Sequence, residues 1–175
     1  MPRSITPANV ATPSRVIHAD DALANPMDLL RARADRLGRA ALESCRQHER
    51  CAALVEKDGI DPQELDGWLE LTAMADRQLG EAGTAYEKAT AALKSDAEDL
   101  PWRRQASVLW LAAREHVRRQ SQGDKLAGRV SRAHRADFLG ELHVAFELEA
   151  SAVLSLRQAA EGYCRARPEV LAVNG

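Results

Sequence analysis

Residues 61–100, DPQELDGWLELTAMADRQLGEAGTAYEKATAALKSDAEDL, decide how the chain folds. Read in heptads, one set of positions holds Leu65, Thr72, Leu79, Tyr86, Leu93 and Leu100. The other set holds Trp68, Ala75, Ala82, Ala89 and Asp96. Apolar residues alternating three and four apart mark one buried seam on a long helix, which this spacing carries to about Asp99. Three successive alanines let a partner helix approach near the lower end of the usual interaxial range, about 8–10 Å. One helix cannot bury such a seam alone, so other helices must supply the opposite wall.

Upstream lies the strongest local signal. Asp61 is placed to cap the helix, Pro62 occupies its first position, and Glu64 completes a capping box. Ile60 and Leu65 are spaced as a hydrophobic staple, and Gly59 supplies a stop for whatever precedes. A first helix is predicted from about Met27 to Lys57, with Leu30, Ala34, Leu37, Ala41, Cys45, His48, Ala52 and Val55 on its inner face. So short a connection makes the first two helices antiparallel.

Downstream, Pro101 cannot continue a helix but can begin one. Trp102, Ala106, Leu109, Ala113 and Val117 form a third stripe, which Leu126, Val130 and Ala133 prolong past Gly123. Matching the length of the second helix, about 57 Å at 1.5 Å per residue, favours a continuous third helix to about 136, with Gly123 as a kink point. A turn near Asp137–Gly140 then leads to a fourth helix over about 140–167, ended by Pro168. Its inner face reads Leu142, Ala145, Phe146, Glu149, Ala152, Val153, Leu156, Ala160 and Tyr163.

The predicted fold is thus all-α: an antiparallel, up-down four-helix bundle over residues 27–168. A disordered N-terminal arm (1–26) rich in Pro, Ser and Thr precedes it, and a flexible tail (169–175) follows. The competing architecture is a stack of αα repeats, because Pro62, Pro101 and Gly140 recur 39 residues apart. Composition supports helix in either case: 32 Ala and 21 Leu stand against 3 Ile and 10 Val.

Charge and cysteine usage narrow the function classes. A net charge of −2 gives the whole molecule no electrostatic bias. Cys45, Cys51 and Cys164 are odd in number, and the first two lie about 9 Å apart along one helix, so reduced thiols and a cytoplasmic location are expected. The chain has no run of 18 apolar residues and no apolar leader core, which predicts neither a membrane partner nor a cleaved Sec signal. The composition of the N-terminal arm also fits a non-cleaved signal of a secreted bacterial effector.

Motifs for chemistry are sparse. None of His18, His48, His116, His134 and His143 follows a glutamate by three residues, as carboxylate-bridged metal bundles require, and no Cys-x-x-Cys occurs. No metal, cofactor or catalytic residue is therefore expected, and no enzymatic activity. Two constellations remain. His48, Tyr86 and Glu149 interrupt otherwise apolar stripes and form a candidate polar core, with His48 level with about Thr72; a carboxylate there needs a partner, an Arg or Tyr for Glu149. Arg114, Arg118, Lys125, Arg129 and Arg132 line up on the third helix as a candidate basic interaction surface. Residues 102–135 carry nine bases against two acids, whereas residues 56–101 carry twelve acids against four bases. Adjacent helices of opposite charge can complement each other, or the stripe can bind nucleic acid.

The reading that follows is a non-enzymatic helical interaction, scaffolding or adaptor protein, with a protein partner and a homodimer through Trp102, Leu109, Trp110 and Leu111. The alternatives are a nucleic-acid-associated protein using residues 102–135, a ligand-binding bundle centred on Glu149, and a secreted effector.

Overall fold

The computed structural model describes residues 25–56, 59, 61–93, 100–133 and 139–172, the side chains of 130–133 excepted. Four long helices make up the bundle: α1 (Pro26–Val55), α2 (Pro62–Ala92), α3 (Pro101–Ala133) and α4 (Leu139–Ala166). A short helical turn, α5 (Glu169–Ala172), follows. No strand occurs among the described residues. The helices pack chiefly as two hairpins, α1 with α2 and α3 with α4, and α1 also meets α4. The expected N-terminal arm, Ile60 of the staple and the turn at 137–138 lie outside the described residues.

The start of α2 forms as its sequence directs. The Asp61 side chain accepts from the Gln63 amide at 2.9 Å, which satisfies a donor that the first turn of a helix leaves without a partner. Gly59 takes a positive φ of 76° in the preceding turn, where a Cβ would be strained. On the seam, Thr72, Ala75, Leu79, Ala82 and Tyr86 are buried, and Ala89 and Leu93 pack at its edge.

α3 is continuous through Gly123, as the length of α2 predicted. Three details differ from expectation. α2 stops at Ala92, with Leu93 already extended at ψ 103°, so Leu100 is 39% exposed instead of continuing the seam. In the last turn of α1, Leu54 is buried while Val55 points outward. Phe146 is 52% exposed; α4 meets the core through Ala145, Ala152, Ala159 and Ala160, and helices that approach on alanine leave no room for a phenylalanine at the contact.

Residues 169–172 of the expected tail form α5. Val170 of α5 is buried and packs beside Gly38 of α1. A Cβ on Gly38 would sit 2.9 Å from the Tyr163 ring and 3.6 Å from Val170. The core proper is the cluster of Leu30, Leu37, Leu79, Leu109, Leu156, Tyr86 and Tyr163 with the intervening alanines.

Candidate functional site

Asp76, fully enclosed on α2, collects hydrogen bonds from both flanking helices. From α1, the Ser44 hydroxyl donates to its Oδ1 at 2.6 Å, and His48 Nε2 lies 3.0 Å from Oδ2. From α3, His116 Nε2 lies 3.1 Å from Oδ1, and the Gln120 amide donates to Oδ2 at 2.7 Å. Four contacts match the roughly four lone-pair sites of a carboxylate. The two imidazoles meet edge to face, their centroids 5.0 Å apart.

The electrostatics follow from this geometry. Burial alone would raise the Asp76 pKa, but hydrogen bonds from His116, His48 and Ser44 outweigh it and hold the carboxyl far below its ordinary range. Glu149, half-buried on α4, shows the opposite balance. Burial raises its pKa, with help from Asp124 and Asp76, against the lowering influence of His48 and His116. Its carboxylate occupies the space left by Gly123: a Cβ there would lie 3.2 Å from Glu149 Oε2. Every long helix thus contributes a polar group to one region: Ser44 and His48, Asp76, His116 and Gln120, and Glu149.

Of the expected polar core, His48 and Glu149 belong to this region and Tyr86 does not. Tyr86 lies ten residues beyond Asp76, about 15 Å along the helix, with its hydroxyl 3.5 Å from Ser107 Oγ. His48 turns to Asp76 instead of Thr72, whose hydroxyl bonds the Trp68 carbonyl of its own helix at 2.9 Å. A carboxylate is the stronger acceptor. The sequence reading missed Asp76 and His116. Both were marked, since Asp76 follows Ala75 on the seam and His116 extends Trp102, Ala106, Leu109 and Ala113 by a further three residues. A search for local spacing passes over ligands or partners that come from three different helices.

The basic surface divides. Arg114 lies over the Trp110 ring, 5.6 Å from its centroid. Arg118 pairs through two nitrogens with Glu115 of the same helix, at 2.8 and 2.7 Å, and Arg119 shares that acid. Arg129 is also engaged. Lys125 borders an apolar groove between α3 and α4. The Arg132 side chain lies outside the described residues.

That groove, of about 670 Å³, has Leu126, Val144 and Leu148 on its walls and Arg119, Lys125 and Glu141 on its rim. It continues an unusual property of α4, whose Leu139, Val144, Phe146, Leu148 and Leu154 are each at least 41% exposed. Trp102 and Leu109 are buried in the core, as the third stripe predicts, while Leu111 beside them is 57% exposed. No described helix is long and apolar enough to cross a membrane.

No protein-family model, curated protein or solved structure matches the chain.

Proposed function

We propose that the protein is a non-enzymatic helical adaptor that receives an amphipathic helix of a protein partner in the groove between α3 and α4. The observation that carries this reading is the apolar surface of α4. A helix that is apolar on several faces is ordinarily buried on all of them, and exposed apolar patches of this kind mark interaction sites. Ala145, Ala152 and Leu156 face the core, while Val144 and Leu148 turn to the groove. Helix-in-groove recognition needs an apolar floor with anchor pockets at helical spacing. Lys125 on the rim favours a partner helix that carries an acid beside it. Arg118 of the basic stripe is already paired with Glu115, which lowers the charge that the stripe offers to nucleic acid.

A photo-crosslinker at position 148, compared with one at Arg36 on the far side of α1, tests the reading. The expected result is a partner crosslinked only from position 148, through an amphipathic segment, and lost when Val144→Glu and Leu148→Glu are combined. Crosslinking of the same partner from both positions, or equal capture by the double variant, overturns it.

A further inference from the structure

We propose that His48, Asp76 and His116 are the protein ligands of a divalent transition-metal ion of the zinc type, held in the middle of the bundle. One potential ligand atom from each of the three lies within 4.8 Å of the others. Both imidazoles present Nε2 to the carboxylate, at 3.0 and 3.1 Å. Two nitrogen or oxygen ligands of one ion, each bonded at about 2.0–2.2 Å, sit about 3.0–3.5 Å apart. Each imidazole already stands within that range of one carboxylate oxygen, His48 of Oδ2 and His116 of Oδ1. Drawing the ligand atoms, now within 4.8 Å of one another, onto one ion takes movements of about an ångström, which rotation of the two imidazoles about their side-chain bonds supplies.

The surroundings fit an ion as well as the ligands do. Imidazole and carboxylate suit zinc and its first-row neighbours, and not calcium or magnesium, which select oxygen alone. Two neutral histidines with the carboxylates of Asp76 and Glu149 balance a dication, so the filled site carries no net charge in the core. Ser44 and Gln120 bond the two Asp76 oxygens at 2.6 and 2.7 Å, as outer partners do for a coordinating carboxylate. His116 Nδ1 is buried and makes no hydrogen bond among the described residues, so no partner fixes which ring nitrogen carries the proton. Nδ1 can hold the ring proton displaced when Nε2 turns its lone pair to the ion. The route inward passes His48, whose side chain is 19% exposed, against 2% for Asp76 and none for His116. This site is independent of the groove and adds to the proposed function: an ion here ties α1, α2 and α3 together.

The test uses the full chain stripped with a chelator. Zn²⁺ is titrated against a chromophoric competitor, and X-ray absorption is recorded at the zinc edge. The expected result is one ion per chain with sub-micromolar affinity, nitrogen and oxygen scatterers at about 2.0–2.1 Å and no sulfur. His48→Ala, shown folded by circular dichroism, is expected to weaken binding by at least about tenfold, and Cys51→Ser to leave it unchanged. Absence of stoichiometric uptake by the folded wild type overturns the proposal. So do sulfur scatterers, or a folded His48→Ala that keeps its affinity. If His48→Ala fails to fold, the wild-type absorption spectrum decides.

Discussion

Asp76 of α2 and His116 of α3 meet at 3.1 Å across the centre of the bundle, forty residues apart in sequence and both closed off from solvent. The contact joins one hairpin to the other at a point where an apolar pair would serve packing alone. Breaking it strands polar groups. Asp76→Ala leaves Ser44, His48, His116 and Gln120 without their common acceptor, and the expected loss is about 3–5 kcal/mol, the scale for removing one partner of a buried pair. Replacing Asp76, His48 and His116 by leucine together with Ser44→Ala and Gln120→Leu is expected to recover much of that loss, because the apolar replacement leaves none of these groups in need of a partner. Urea denaturation of the metal-free protein measures both. A loss under 1 kcal/mol for Asp76→Ala, as for an exposed pair, contradicts the argument.

The tight packing at Gly38 gives a second expectation. A Cβ at Gly38 meets the Tyr163 ring at 2.9 Å, and that ring is fully buried. Gly38→Ala should therefore destabilise by about 1–3 kcal/mol through overpacking, reduced by the better helix propensity of alanine. Gly67 also lies in a helix but has nothing within 4 Å of its built Cβ. Gly67→Ala should stabilise by up to about 1 kcal/mol. Thermal unfolding of the two variants should move in opposite directions.

The helices were legible because their determinants are local. Asp61, Pro62 and Gly59 announce a boundary whatever the rest of the chain does, and the stripe through Leu79, Ala82 and Tyr86 shows which face is buried. The end of α2 was not legible, since the apolar stripe runs on through Leu93 to Leu100 after the helix has stopped. Phe146 was misplaced for a related reason. Sequence shows that α4 has apolar residues on several sides, but which side faces the core is settled by how closely α1 and α3 pack on its alanines. The site was half legible: His48 and Glu149 stood out as interruptions, whereas Asp76 and His116 gain meaning only once three helices are assembled.

Thiol labelling separates the cysteines. The Cys45 thiol is buried, with its Sγ 3.9 Å from the Val153 carbonyl. Burial, and then the charge of Glu49, push its pKa up to about 11, so little thiolate exists near neutral pH. Cys164 is buried and shifted in the same direction. Cys51 is only half-buried. A disulfide reagent should label Cys51 quickly and the other two on the timescale of unfolding, as peptide mapping of briefly treated protein will read. Equal labelling of Cys45 and Cys51 in the native state contradicts the packing described.

Alkaline pH probes the junction of α1, α4 and α5. The Tyr163 hydroxyl donates to Asp35 Oδ1 at 2.6 Å, and Arg167 bonds the same carboxylate at 2.9 and 3.3 Å. Burial, and then the Asp35 carboxylate, push the Tyr163 pKa well above the ordinary phenol range; Arg167 opposes this only in part. In the unfolded chain the phenol ionises near about pH 10. Above that pH the unfolded state loses the proton while the folded state keeps it, so the folded state binds more protons and stability must fall as pH rises. The contribution is fully present below about pH 10 and is lost at up to about 1.4 kcal/mol per pH unit above it. Cys45 adds a decline of the same sign, so wild type and Tyr163→Phe must be compared. The variant should be about 1–2 kcal/mol less stable at neutral pH, where it lacks the hydrogen bond. As the pH is raised past the phenol range, that deficit should shrink, because the variant has no proton to lose there. Urea unfolding of both proteins between about pH 8 and 11 measures the gap; a constant gap across that range excludes Tyr163 as the source of the alkaline loss.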